Sequence, residues 1–395
     1  MKRVFQHIIR TVSAVGLLLT SVSCDDHAQE TFSADVPPEE EGTVMLVLNT
    51  EVAGATRAAA TGDIPEEEKM RTLRIVILHP DGTVEHNGHI DFGAVAQTHY
   101  VQFIPVKPNE KKTVYLLANE ESVSGLDNKE LDAFTPGSNG FKAKVDDLAF
   151  VPGYTAGAIP MTSIYEVEID EVIKECQFYL VHAATKFTFR FKNMRNGPVT
   201  VNSITVSDIA DRMYLMPHKQ NLTMDFEEAD GSITPLYWID WLQRVAEESQ
   251  ANPDNPVNTQ LTEERGWIMD YDIPGGATHK RVTRTTNLQV PKATIIGQTI
   301  TPGTAEYPSF YLPESKKLEK PDNGAYSPQS YTMTINLKDN YNENKTFTLA
   351  FDNLKALFRN THVVANVELS EKVTVTMQYT VCPWLDYTIK IPTFD

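Results

Sequence analysis

The feature that most constrains this chain is a strand grammar, in which short apolar or period-two runs are each closed by Gly, Pro, Asn or Asp. LRIVIL (73–78) ends at Pro80-Asp81-Gly82, and HYVQFIPV and KTVYLLA repeat the pattern. IYEVEI, FYLVHAATKFTFRFKN and VTVNSITVSDI follow. The last third returns to it with FYLPE, YTMTINLKD, KTFTLAF, THVVANVEL and VTVTMQYTV. A strand buries its apolar face only by stacking on another layer. Many short strands and few helices therefore predict a mainly all-β fold: two antiparallel β-sandwich domains in tandem with a few short helices. Asn196-Gly197 is the strongest hairpin signal, and Asn340 to Asn344 reads as a second turn. WIDWLQRVAEESQ (238–250) is the best helical candidate, and Ser122 to Phe134 reads as a short helix or loop.

The N-terminus, MKRVFQHIIRTVSAVGLLLTSVSC, has a basic start and a short apolar run that ends at Cys24. That run falls short of the ~20 apolar residues of a spanning helix, so it reads as a signal peptide that is removed. Ser21-Val22-Ser23-Cys24 resembles a bacterial lipobox, with Ser where Leu is usual, and makes Cys24 the expected acylation site. Acylation would hold the protein on a membrane by hydrocarbon burial rather than by spanning.

Loss of residues 1–23 removes Lys2, Arg3 and Arg10 and no acid, which takes the formal charge from −18 to −21. Such a surface repels phosphate backbones, so no nucleic-acid partner is expected. Only Cys176 and Cys382 remain beyond Cys24, and no CxxC spacing marks a zinc site. Whether those two thiols pair is open at this level.

Residues 25–41, DDHAQETFSADVPPEEE, read as a solvated acidic tether. The first strand comes next, in GTVMLVLNTEV (42–52), where Val44 to Leu48 is unbroken apolar and thus suited to an interior position. The small-residue loop after it holds Arg57, and no Lys or Arg lies between Arg10 and Arg57. A trypsin-like protease thus meets one early site in an extended, accessible segment, Arg57-Ala58. At the other end, Leu385, Tyr387, Ile389 and Ile391 alternate with Asp386, Thr388, Lys390 and Pro392, a period-two strand with one apolar face. That tail suits either a closing strand of its own domain or a strand donated to a neighbour.

No phosphate-cradling loop, GxSxG elbow or HExxH helix is present. His79, His86 and His89 lie in a turn-rich stretch that makes a poor metal site. Glu166, Glu168 and Asp170 alternate as the wet face of a strand. Asp339, Asn340, Asn342 and Glu343 lack EF-hand spacing and read as turn. Trp238 and Trp241 read as core residues of the 238–250 helix. No enzyme activity, metal or cofactor is expected.

Several segments together resemble the fimbrillin-type pilins and fimbrillin-like lipoproteins of Bacteroidetes. They are Thr56-Arg57 followed by an acidic patch and LRIVIL, Ile159-Pro160-Met161-Thr162, VHAATKFTFRF, Phe310 to Glu314, Arg359-Asn360-Thr361-His362 and Pro383-Trp384. His182 stands where that family more often carries Arg. The resemblance implies a transthyretin-like pilin architecture and export as an outer-membrane lipoprotein. It further implies cleavage after Arg57 by a trypsin-like protease and removal of a first strand carrying Val44, Leu46 and Leu48. A strand from another pilin subunit would refill the gap, backbone hydrogen bonds supplying affinity. The expected organisation is signal peptide 1–23, tether 24–41, removable strand and cleavage loop 42–57, sandwich domains 58–170 and 171–384, and a donor tail 385–395. The implied function is a stalk or tip subunit of a surface fimbria that supports adhesion to a host or bacterial surface. The alternative is a non-polymerising surface lipoprotein that binds a glycan or host ligand.

Overall fold

The computed structural model describes residues 42–53, 64–153, 158–217, 223–228, 230–237, 273–316, 331–339, 341, 343–351, 354, 356–370 and 374–384. Cys24, the tether, Arg57, Ala58, the 238–250 candidate helix and the tail with Leu385, Tyr387, Ile389 and Ile391 lie outside the described residues.

The first half builds a seven-stranded sheet. Its members are β1 (Val44–Val52), β2 (Thr72–Leu78), β3 (Val84–Asp91), β4 (His99–Val106) and β5 (Lys111–Ala118), joined after β6 (Ala149–Phe150) by β7 (Met161–Glu168) and β8 (Ile173–His182). The order is β3-β2-β5-β7-β8-β1-β4. The β7–β8 seam is ladder-paired only at Met161–His182 and Thr162–Val181. Beyond it the Tyr165 hydroxyl takes over, accepting from Tyr179 N at 2.8 Å and donating to Tyr179 O at 3.1 Å. The sheet folds at this seam into two layers. Leu73, Ile75 and Ile77 with Val114 and Leu116 on one side share a core with Leu46, Leu48, Ile104, Phe178 and Leu180 on the other.

The unbroken apolar runs LRIVIL and VYLLA have a simple cause, for β2 and β5 are covered on both faces. Their far side, with Val76, Leu78, Tyr115 and Leu117, packs under Leu131, Phe141 and Val145. Those three come from two one-turn helices and the segment around them, α1 (Asn128–Asp132) and α2 (Phe141–Val145). Arg74, in the middle of LRIVIL, is buried yet paired with Glu120 at 2.8 Å and Asp132 at 2.7 Å.

The second half begins with β9 (Thr185–Asn193) and β10 (Val199–Ala210), then β11 (Met213–Tyr214), which pairs β6. The hairpins β12 (Thr223–Glu227) with β13 (Ile233–Tyr237) and β15 (Thr294–Ile296) with β16 (Thr299–Thr301) flank β14 (His279–Val290). After them run β17 (Gly303–Leu312), β18 (Ser315–Lys316), β19 (Thr332–Lys338), β20 (Asn344–Ala350), β21 (Ala356–Leu357), β22 (Thr361–Leu369) and β23 (Val375–Pro383). Two four-stranded sheets result, β14-β10-β19-β20 and β17-β9-β22-β23. Between them lies a core of Phe187, Phe189, Phe191 and Phe310 against Val201, Ile204, Met333 and Ile335.

The all-β expectation holds, with two refinements. Most ladders are antiparallel, but β1 runs parallel to β8 and β22 parallel to β9. The run FYLVHAATKFTFRFKN is two strands, because at Ala183-Ala184 the chain leaves the first sheet and enters the second sandwich. Residue 171, the expected domain boundary, is the turn between β7 and β8 inside the first sheet.

Asn196-Gly197 is not a hairpin. Both edges of β9 are occupied, by β17 and β22, so the next strand cannot pair with it and crosses to the facing sheet. Asn193 holds that corner, donating to Gly197 O and Pro291 O at 2.9 Å each. The expected turn between β19 and β20 is a hairpin, where Asp339 Oδ1 accepts from Tyr341 N and Glu343 N. In β10 two register shifts move the inward set from Val199 and Val201 to Ile204 and Val206, then to Ile209, keeping each parity change out of the core.

Candidate strand-exchange site

β1 is the strand whose removal the resemblance implies, and it lies inside the sheet. It sits between β8 and β4, in register Met45–Ile173 to Val52–Leu180 on one side and Val44–Val106 to Glu51–His99 on the other. β4 is the sheet's last strand, so its ladder partner is β1. Of the three residues singled out, Leu46 and Leu48 are fully buried in the core, and Val44 packs on its rim, half-buried. The inward set is completed by Thr50 and Val52, both buried. On the other face Met45, Val47 and Glu51 are also nearly closed off. Loss of β1 would uncover apolar surface, expose the β8 edge and leave β4 unpaired.

Directly after the Arg57 loop comes a 3-10 turn, Glu66–Glu68, which reaches the second sandwich. Glu68 is buried there, and its carboxylate accepts from Lys186 Nζ at 2.8 Å, the Tyr311 hydroxyl at 2.7 Å and Trp384 Nε1 at 2.9 Å. Its backbone oxygen meets His182 Nε2 at 3.1 Å. Burial alone would raise the Glu68 carboxyl, but the Lys186 and His182 charges and the hydrogen bonds from Lys186 and Trp384 pull it below its ordinary value.

Trp384 lies between two rings, His182 at 4.2 Å and Tyr311 at 5.5 Å, both nearly parallel to it. Its backbone N donates to Asn360 O at 2.7 Å. Asn360, at φ 57°, also donates from N to Ala184 O at 2.8 Å, and its side-chain oxygen accepts from His182 N at 3.2 Å. Asn tolerates that left-handed conformation where most residues would be strained. Beside it, fully buried Arg359 bonds Glu314 at 2.6 Å and the carbonyls of Tyr214 and Leu215 at 2.8 Å each.

This junction explains the scattered segments of the resemblance. Ile159 to Thr162, His182 to Lys186, Tyr311, Glu314, Arg359 to His362 and Trp384 converge on one buried polar cluster where the first sheet meets the second sandwich. Sequence reasoning missed Glu68, the residue that ties the post-loop segment to Trp384, from which the tail departs. Its signal was an acidic run, Glu66-Glu67-Glu68, that looked like solvated surface. Glu66 does face solvent, paired with Lys69, whereas Glu68 turns inward.

The remaining candidates separate. His79 bonds Glu110, whose carboxyl is held at about 2 by hydrogen bonds from Lys107, Lys112 and His79 itself, while His89 faces Glu120 at 3.6 Å. Among the described residues no group of His, Cys, Asp and Glu is arranged to hold a metal ion. Glu166 pairs with Lys111, and Asp170 with Lys174, on the wet side. Cys176 is a free thiol, pushed up by burial.

No protein-family model matches the sequence, and neither does any curated protein. Solved structures do resemble the chain, and they are fimbrial and adhesion proteins of Bacteroidetes. A Parabacteroides distasonis protein assigned to cell adhesion is 11% identical at a TM-score of 0.47, covering 87% of this chain and 99% of its own. The tip fimbrial protein Mfa3 of Porphyromonas gingivalis, truncated at its C-terminus, is 9% identical at 0.46 and covers 87% and 100%. The fimbrial anchor protein Mfa2 of the same organism is 10% identical at 0.34 and covers 87% and 98%.

Proposed function

We propose that this chain is a structural subunit of a cell-surface fimbria that polymerises by strand exchange. It is exported as a lipoprotein acylated at Cys24, reaches the outer membrane and is cut between Arg57 and Ala58. The cut frees β1, and a strand from another subunit takes its place. The tail with Leu385, Tyr387, Ile389 and Ile391 is the candidate strand that this subunit donates in turn, which suits a stalk; a tip subunit would only accept. The first sandwich is the accepting domain and the second carries the tail.

The observation that carries this reading is the position of β1. An N-terminal strand that is both interior and core-lining would be a poor element to place before a cleavable loop, unless replacement is its purpose.

The test is to treat the purified precursor with a trypsin-like protease, sequence the new N-terminus and size the products. A start at Ala58 with SDS-resistant multimers is the expected result. A chain that is cut there but stays monomeric, with β1 retained, supports a non-polymerising surface lipoprotein instead. Deletion of residues 387–395 should stop elongation by a stalk subunit while leaving its ability to accept a strand.

A further inference from the structure

We propose that Thr50 is the position that makes β1 replaceable and that selects the strand replacing it. The inference rests on the strand-exchange reading above and names the specificity residue within it.

Thr50 is fully buried on the inward face of β1, in line with Leu46, Leu48 and Val52. Its neighbours across the two ladders are Phe178 and Tyr100. Phe178 is buried and packs edge-on against Tyr165 at 4.7 Å, so this part of the core is aromatic. The Thr50 hydroxyl has no hydrogen-bond partner among the described residues.

Other buried threonines behave differently. Thr162 donates to Leu215 O at 2.9 Å, Thr185 to Phe358 O at 2.8 Å and Thr361 to Phe358 O at 2.5 Å, while Thr188 meets His362 Nε2 at 2.8 Å. In an extended strand a hydroxyl has no preceding-turn carbonyl to bond, as it would in a helix. Thr50 therefore gives up its water and gains nothing, a penalty that falls on the resident strand alone.

A replacement without a hydroxyl on Cβ escapes that penalty. The four apolar residues of the tail match the four inward positions 46, 48, 50 and 52 in number and spacing. Laid parallel to β1 the tail puts Ile389 at the Thr50 position, and laid antiparallel it puts Tyr387 there. In the parallel sense exchange removes the unpartnered hydroxyl at this position while the Leu46 and Leu48 positions stay apolar for apolar; in the antiparallel sense the phenolic hydroxyl of Tyr387 needs a partner of its own. The mismatch weakens the hold on β1 throughout, and once the chain is cut it favours replacement.

The experiment uses the full chain cut once after Arg57, as wild type, Thr50→Val and Thr50→Ser. Each is incubated with a synthetic peptide of residues 385–395, and the freed N-terminal segment is followed by gel filtration and mass spectrometry. Thr50→Val, isosteric and without the hydroxyl, is expected to slow release by about tenfold. Thr50→Ser, which keeps the hydroxyl, should release at least as fast as wild type. Release from Thr50→Val at the wild-type rate or faster overturns this inference and leaves strand exchange standing. Absence of release from the wild type overturns strand exchange itself. Melting of the uncut chains then still decides the mismatch, which requires Thr50→Val to melt higher than wild type.

Discussion

The two sandwiches differ in how their central strands are held. In the second, β9 lies between β17 and β22, and its Phe187 and Phe189 meet Phe310 at ring distances of 6.5 and 5.6 Å. Its strands all begin at Thr185 or later, and cutting near residue 57 touches none of them. In the first, the strand that closes the core is the first described strand, and β4 relies on it for its ladder. The first core is also mostly aliphatic around β1, with Leu46, Leu48, Ile104, Val106 and Leu180. One region is a scaffold, and the other has an interior strand on a terminal segment. Under the strand-exchange proposal, position in the chain rather than depth in the core decides which buried strand is the one replaced.

Excision of residues 42–53 should break that comparison most visibly. β1 contributes two ladders and the buried Leu46, Leu48 and Val52. Truncating one buried Leu to Ala typically costs ~2–5 kcal/mol, so loss of the whole strand should exceed the stability of an ordinary domain. Hydrogen exchange should show amides of 99–106 losing protection while those of 185–193 keep it. Equal loss in both would mean that the two sandwiches unfold as one unit.

Next in size is Glu68→Ala. It leaves the Lys186 ammonium buried without its carboxylate, and breaking such a pair typically costs ~3–5 kcal/mol. It also frees Trp384 Nε1 and the Tyr311 hydroxyl from their acceptor. Melting should drop, and Trp384 fluorescence should report a wetter ring before global unfolding. A wild-type melting curve would show that the junction carries no such weight.

A smaller effect is expected on acidification. Burial, with the nearby charges of Lys186 and Arg190, holds the buried His362 well below the ordinary histidine value of 6.5. Between that lowered value and 6.5 the unfolded chain binds a proton that the folded chain refuses, so stability falls as pH drops through 6.5. Glu68 acts lower down. Its folded value is below 4.5, so its contribution is present above pH 4.5 and is lost as pH falls toward the lowered value. Melts taken from pH 8 to 4 should therefore decline in two windows. Burial also holds His182 and His86 below 6.5, so His362→Gln should flatten the upper window in part, and an unchanged upper window would remove His362 as a contributor.

How much of this was legible follows from the range of each signal. Period-two patterning and unbroken apolar runs report burial along one strand, so LRIVIL and VYLLA were readable as strands and Val44 to Leu48 as an interior one. Asn196-Gly197 reports a local turn but not which sheet receives the next strand, and there the reading failed. The junction was half visible. Its segments stood out one by one, yet that Glu68, His182 and Trp384 meet depends on contacts across more than a hundred residues, which no local pattern encodes. The orphan hydroxyl of Thr50 lay beyond sequence, since threonine in a strand is ordinary until its surroundings are known.

The smallest predicted change lies in the scaffold. Asp339 closes the β19–β20 hairpin by accepting from Tyr341 N at 2.9 Å and Glu343 N at 3.0 Å, and both bonds are exposed. Exposed hydrogen bonds are replaced by water at little cost, so Asp339→Ala should destabilise by about 0.5–1.5 kcal/mol. The hairpin lies in the sheet away from β1, and its register Lys338–Asn344 to Thr332–Ala350 is also fixed by the core residues Met333, Ile335 and Leu337. Hydrogen exchange should therefore quicken around residues 338–344 and stay unchanged at 44–52. If this distant turn instead loosened β1, the two sandwiches would be coupled through their cores, and the independence that the strand-exchange proposal requires would be lost.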